Sequence, residues 1–281
     1  MKLKRTIIVL TFLLILVFTV SCNEHEKAIK LNNDGMVFVK QGKYEEGIKL
    51  YDEALKLDPD YAVVWYNKGT ALYYLKQYEE ALRYFDKSLE IDPNSSEAWN
   101  NKGLLMVEME KNEEALKCYD RALELDPDKA TVWYNKACSL NNDGKYEEAI
   151  KCLDKALAID SNDASFWDSK GLSLDYMKKH KEAIECFDRA LKIDPKKALT
   201  WYNRGYSLDS LKRYEEAVNS FDKALEIEPD QADTWYSKGY TLATQGKYGE
   251  ALKCFEKVLE FKPDDKDTKQ RKEEILKLMG K

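Results

Sequence analysis

Five asparagines occupy one place in a 34-residue period: Asn33, Asn67, Asn101, Asn135 and Asn203, with Ser169 and Ser237 in the remaining two. One residue before this row stand Tyr66, Tyr134, Tyr202 and Tyr236; three residues after it stand Tyr206 and Tyr240. Tyr73, Asn141, Asp175 and Asp209 follow at helical spacing. A primary amide carries both donors and an acceptor, so such a row can pair with the backbone of an extended peptide whatever its sequence. Tyrosine adds flat apolar area with a polar tip. The chemistry on offer is reversible hydrogen bonding and ring contact.

Residue types that could break bonds or hold metals lack the spacing to do so. His25 stands alone near the N-terminus, and His180 takes a turn position held elsewhere by Tyr44, Tyr78, Tyr146, Tyr214 and Tyr248. Carboxylate pairs such as Glu45-Glu46 and Glu147-Glu148 open helices, where the helix dipole favours them. Cys118, Cys152, Cys186 and Cys254 share one place of the period, and Cys138 lies in another. Equivalent places in successive repeats are a helix layer apart, roughly 9–10 Å per packed pair. A disulfide needs Cα atoms within about 7 Å, so Cys118, Cys152 and Cys186 should pack rather than pair. They also lack the close paired spacing of a zinc site. No enzyme activity, metal or cofactor is expected.

The elements that carry the asparagine row are marked by the tryptophans. Trp65, Trp99, Trp133, Trp167, Trp201 and Trp235 are the only ones in the chain, and each is 34 residues from the next. That period marks a stacked helix-turn-helix repeat. Four residues after the tryptophan place comes a small residue: Gly35, Gly69, Gly103, Ala137, Gly171, Gly205 or Gly239. A second small place holds Gly47 and then alanines from Ala81 to Ala251, followed four residues on by a bulky partner such as Tyr51, Phe85 or Leu153. Small residues let two helices approach and large ones fill the space beside them. Pro59, Pro93, Pro127, Pro195, Pro229 and Pro263 close the units because proline cannot continue a helix; Ser161 stands in for a seventh. Each unit thus reads as helix A, a short turn such as Gln41-Gly42-Lys43-Tyr44, helix B and an Asp-Pro turn.

With Trp65-Tyr66-Asn67-Lys68-Gly69, Ala81, Phe85, Ser88 and Pro93, the pattern resembles the tetratricopeptide repeat family, and it recurs over nearly all of the chain after the N-terminal segment. It departs from the family in placing Lys68, Lys102, Lys136, Lys170, Arg204 and Lys238 where a leucine usually precedes the small residue. The resemblance implies an all-α, right-handed superhelix of seven repeats: 28–61, 62–95, 96–129, 130–163, 164–197, 198–231 and 232–265. Residues 266–281 read as a polar cap helix using Ile275, Leu276 and Met279. The tryptophans are expected to be buried between helices A and B. In the family helix A lines the concave face, so the asparagine and tyrosine rows become a groove for an extended peptide, with Asn67, Asn101 and Asn135 largely exposed. Some relatives clamp a C-terminal carboxylate with basic groove residues. Two residues before the tryptophan place this chain has Val63, Glu97, Thr131, Ser165, Leu199 and Asp233, none of them basic.

Residues 1–21 carry a basic start, Lys2, Lys4 and Arg5, and an apolar run from Ile7 to Val20. That run is shorter than the roughly 20 residues of a membrane-spanning helix and suits a signal segment. Val20-Ser21-Cys22 resembles a lipoprotein processing site, in which Cys22 would carry lipid; an uncleaved anchor or plain secretion are the alternatives. Each places the repeats outside the cytoplasm, with residues 22–27 as lipidation site and short tether. Asn94-Ser95-Ser96 is a glycosylation sequon that is equally an ordinary turn. Without residues 1–21 the 45 basic residues fall by three against 51 acidic, a net charge of −9. Such a body is a poor partner for nucleic acid, whose binding rests on phosphate neutralisation. The partners expected are a protein or peptide in the groove and a membrane through the N-terminus. An envelope assembly role through the convex face or ends, or capture of a carbohydrate or small ligand by the tyrosines, are the other readings.

Overall fold

The computed structural model describes residues 23–280, which form fifteen helices and no strand. The segment 1–22, with Cys22 and the expected signal run, lies outside the described residues, as does Lys281. The first helix, α1, covers residues 23–40. The expected tether is therefore helical from residue 23 and continuous with helix A of the first repeat. His25, on its first turn, pairs with Asp58 and packs its ring 5.1 Å from that of Tyr61.

Helices of 14 and 13 residues then alternate. The B helices are α2 (Tyr44–Leu57), α4 (Tyr78–Ile91), α6 (Asn112–Leu125), α8 (Tyr146–Ile159), α10 (His180–Ile193), α12 (Tyr214–Ile227) and α14 (Tyr248–Phe261). The A helices are α3 (Ala62–Tyr74), α5 (Ser96–Glu108), α7 (Ala130–Asn142), α9 (Ala164–Tyr176), α11 (Ala198–Ser210) and α13 (Ala232–Thr244), with α15 (Lys266–Leu278) as the last helix. The helices form two units, residues 23–128 and 129–280, within each of which every helix packs on its neighbours in sequence.

Within a repeat, packing is decided by the small-against-large pairs. In the second unit a Cβ placed on Gly171 would lie 2.5 Å from a ring carbon of Phe187, and one on Gly205 would lie 2.6 Å from Phe221. Both rings are fully buried. Where the small place is Ala137, the facing residue is Leu153, a smaller side chain without a ring. The A-to-B turns close with the two hydrogen bonds of a left-handed cap, for example Gly144 N–H to the Asn141 carbonyl and Lys145 N–H to the Leu140 carbonyl. Gly42, Gly144 and Gly246 take positive φ there. Lys76, Glu110, Lys178 and Lys212 hold the same conformation, at φ 59–60°, with a side chain that opposes it.

The B-to-A turns explain the tryptophans, which are half-buried rather than buried. The indole N–H of Trp65 donates to the Pro59 carbonyl at 2.8 Å, and Trp99, Trp201 and Trp235 repeat the bond to Pro93, Pro195 and Pro229. Trp167 donates in the same way to the Ser161 carbonyl at 3.0 Å, so the turn survives without its proline. An amphipathic ring that ties down a turn carbonyl must keep its polar edge at the surface.

The unexpected cations between tryptophan and glycine join successive repeats. Lys68 Nζ lies 2.6 Å from Asp52, and Arg204 Nε lies 2.6 Å from Asp188, each acid sitting on helix B of the preceding repeat. Lys102–Asp86, Lys170–Asp154 and Lys238–Asp222 are the same pair at other joints. The terminal helix keeps it too: Lys272 reaches Glu256 at 2.8 Å while Ile275 buries against Leu242, Ala251 and Phe255.

Candidate functional site

In the second unit four exposed large side chains lie on the A helices, whereas Ile159, Phe261 and Leu278 stand singly at the ends of α8, α14 and α15. Tyr176, Leu199, Tyr206 and Tyr240 are 65%, 57%, 52% and 45% exposed; Tyr176 stacks one face on Tyr146 at 5.0 Å, and the Arg271 guanidinium lies over Tyr240 at 5.6 Å. Three clefts run beside them. One, of about 360 Å³, lies between α11 and α13 at their N-terminal ends and includes Leu199, Tyr202 and Asp233. A second, of about 490 Å³, lies between α9 and α11 and includes Asp175, Tyr176, Tyr202, Asn203 and Tyr206. A third, of about 290 Å³, lies between α11 and α13 further along and includes Tyr206, Asp209, Tyr236 and Tyr240. Tyr202 belongs to the first two and Tyr206 to the last two, so the clefts join into one trough along α11.

The two tyrosine rows do different work. Tyr202 and Tyr236 set their rings against Phe221 and Phe255, with centroids 6.0 and 5.7 Å apart, and Tyr134 does the same against Phe166 at 5.2 Å. In the first unit Tyr66 tilts onto Phe85 at 6.1 Å. These are half-buried walls, and burial pushes the Tyr134 hydroxyl up to about 12. Tyr206 and Tyr240, three residues beyond the asparagine place, carry their rings out of the helix layer.

The asparagine row is less open than the sequence reading expects. Asn33 is exposed, but Asn67, Asn101, Asn135 and Asn203 are half-buried. Asn67 Nδ2 donates to Asn32 Oδ1 at 2.8 Å, and Asn101 Nδ2 donates to the Tyr66 hydroxyl at 2.9 Å. Both bonds reach back to the preceding helix A, so these amides brace neighbouring repeats. The reason is position: a residue two places after the tryptophan faces the preceding helix A as well as the groove. Asn203 lines the central cleft, with its amide nitrogen buried and unpartnered.

A second ladder escaped the sequence reading. Ser173 Oγ donates to Asn141 Oδ1 at 2.8 Å, Ser207 Oγ donates to Asp175, and Thr241 Oγ1 donates to Asp209 Oδ1 at 2.7 Å. Small hydroxyl residues at 34-residue spacing beneath polar groove residues were the signal. Asp175 also meets His180 Nδ1 at 2.7 Å. Serine and histidine here both bond the carboxylate and not each other, so no activated nucleophile results. Asp168, buried where other repeats carry tyrosine or asparagine, accepts from Thr200 at 2.7 Å and meets Lys197 at 3.4 Å.

Among the described residues no group of three His, Cys, Asp or Glu side chains is arranged to hold a metal ion, and no helix is long and apolar enough to cross a membrane. None of Cys118, Cys138, Cys152, Cys186 and Cys254 is in a disulfide, and burial pushes the thiols of Cys118, Cys186 and Cys254 up to about 11.

A family model for the tetratricopeptide repeat matches residues 62–95, 96–129, 130–163, 169–197, 198–231 and 232–265, and a second TPR repeat model matches 35–75. No curated protein matches the chain. Among solved structures, YrrB, described as a TPR protein with an unusual peptide-binding site, is 26% identical over 67% of this chain and 97% of its own, with a TM-score of 0.58. MamA is 25% identical over 59% of this chain and 96% of its own, with a TM-score of 0.55. The Cut9–Hcn1 hetero-tetramer of the APC/C is similar in fold, at 20% identity and a TM-score of 0.68; the match covers 86% of this chain and 48% of that one.

Proposed function

Because the chain belongs to the tetratricopeptide repeat family, we propose that it is a non-enzymatic scaffold that holds an extended peptide segment of a protein partner along its A helices. The observation that carries this reading is the trough on α11, where Tyr202 and Tyr206 each line two adjoining clefts and the Tyr206 ring stands exposed. Successive clefts along one helix suit successive side chains of an extended strand. The wall tyrosines and Tyr206 offer ring faces, and Asn203, Ser237 and Asp209 offer polar contacts. The peptide-binding site ascribed to YrrB supports the same assignment by likeness. The asparagine row contributes through Asn203, while Asn67 and Asn101 act mainly as braces.

The scaffold is tethered to a membrane outside the cytoplasm, a placement that rests on Cys22 and the segment before it. Two measurements test the two parts. Peptides selected from a displayed random decapeptide library should lose at least tenfold in affinity for Tyr206→Ala/Tyr240→Ala, with the melting temperature unchanged because both rings are exposed. Undiminished binding by that variant would remove the trough as the site. A fatty-acid probe should label the wild-type protein in cells and not Cys22→Ser; equal labelling would remove lipidation at that residue.

A further inference from the structure

The repeat symmetry shows what the cleft over Tyr206 accepts. On α15, Arg271 lies 34 residues after Ser237 and so takes the next place in the asparagine row. Its guanidinium sits 5.6 Å from the centroid of the Tyr240 ring and hydrogen-bonds Tyr236. Glu274 holds it from the other side at 3.2 Å. One repeat earlier the corresponding residues are Tyr206 for Tyr240, Tyr202 for Tyr236 and Ser237 for Arg271. Serine is too short to reach the ring face, and the space that Arg271 fills above Tyr240 is an open cleft above Tyr206. That cleft carries one charged side chain, Asp209, where the later repeat has Ala243. Asp209 spends one oxygen on Thr241, and a carboxylate has acceptor capacity for more.

We propose that this cleft is a cation subsite, taking the guanidinium of an arginine in the bound peptide, stacked on Tyr206 and ion-paired with Asp209. The inference rests on the trough as the peptide site and assigns the kind of side chain that it selects. A cation over a tyrosine face is favoured by the ring quadrupole, more so when partly desolvated, and the planar fork of arginine suits a carboxylate. The wider trough adds Asp175, Glu228 and Asp233 against Lys178 and the Lys262 that pairs with Asp233, so a basic segment also meets net negative charge.

The test uses the full chain and the displayed random decapeptide library. Selected peptides should be enriched in arginine. Replacing that arginine by citrulline, which keeps the shape and removes the charge, should weaken binding at least tenfold. Tyr206→Ala and Asp209→Asn should each weaken the arginine peptide at least fivefold, and Asp209→Asn should leave the citrulline twin within about twofold; the asparagine still offers an oxygen to Thr241, so folding is preserved. Peptides that depend on Tyr206 but tolerate citrulline would overturn the cation subsite and leave the trough standing. Peptides that depend on neither Tyr206 nor Tyr240 would overturn both. An equal loss from Glu147→Gln/Glu148→Gln, an exposed pair at the start of α8, would show diffuse attraction to an acidic body and also overturn the subsite.

Discussion

Gly171→Ala should destabilise the protein even though alanine is the better helix former. The added methyl would stand 2.5, 2.7 and 3.0 Å from three ring carbons of Phe187, which is fully buried and cannot swing away. Overpacking of this kind costs about 1–3 kcal/mol, against about 0.8–1.0 kcal/mol gained from helix propensity. The net loss should be about 1 kcal/mol. Phe187→Leu alone should cost on the order of 1 kcal/mol by leaving a void. Together the two changes recreate the pairing that the preceding repeat already has in Ala137 and Leu153. The double variant should therefore be more stable than the sum of the singles by about 1–2 kcal/mol, a coupling typical of residues in contact. Gly249→Ala is the control, because nothing lies within 4 Å of its added methyl; it should gain about 0.5 kcal/mol. Equilibrium urea unfolding of the four variants measures all of this. If Gly171→Ala stabilises as Gly249→Ala does, or if the two repeat changes add without coupling, the size-matching argument is wrong.

Replacing Lys76, Glu110, Lys178 and Lys212 by glycine should relieve a left-handed backbone at each and gain about 0.5 kcal/mol per site after the added chain entropy, read as a stepwise rise in urea midpoint. Asp52→Ala should cost about 1–2 kcal/mol because it leaves the buried ammonium of Lys68 with the Tyr84 hydroxyl and ring but no counter-charge, whereas Lys68→Leu should be neutral within about 1 kcal/mol; the same unfolding assay ranks them. Thiols pushed up to about 11 at Cys118, Cys186 and Cys254 stay protonated in the fold while the unfolded chain ionises them from about pH 8.5. Stability should therefore fall as pH rises from about 9 to 11, and fall less in a Cys118→Ala/Cys186→Ala/Cys254→Ala variant, as unfolding midpoints across that range will show.

The elements were legible because their punctuation is local. Proline, the 34-residue tryptophan spacing and the small-then-bulky rhythm each act within a few residues of their own backbone. The cap helix was legible for the same reason, from Ile275 and Met279 on one face. The joints between repeats were not legible. Lys68 and Asp52 are 16 residues apart on helices of different repeats, and periodicity alone does not say which of several nearby acids a lysine meets. The resemblance places the asparagine row in the groove because helix A lines it in the family, yet Asn67 and Asn101 sit where that face meets the preceding helix A. The tyrosines divide for the same geometric reason. Tyr202 and Tyr236 meet the phenylalanine of helix B, while Tyr206 and Tyr240, four residues and just over one turn on, clear it.

The lysine–aspartate joint has a consequence for how such a chain can change length. Size matching between small and bulky residues is settled inside each repeat, as Gly171 with Phe187 and Ala137 with Leu153 show. What passes between repeats in the second unit is a set of recurring couplings: cation to acid, hydroxyl to the acid or amide of the preceding helix A, and an indole bonded to a turn carbonyl. If residues 164–197 were excised, Arg204 would arrive opposite Asp154 and Trp201 opposite the Ser161 carbonyl, each a partner of the right kind. Repeats joined in this way are interchangeable cassettes: in-frame recombination between them lengthens or shortens the trough, and the apolar contacts across each joint are remade by residues at equivalent places, as Ile150 would replace Ile184 beside Leu208.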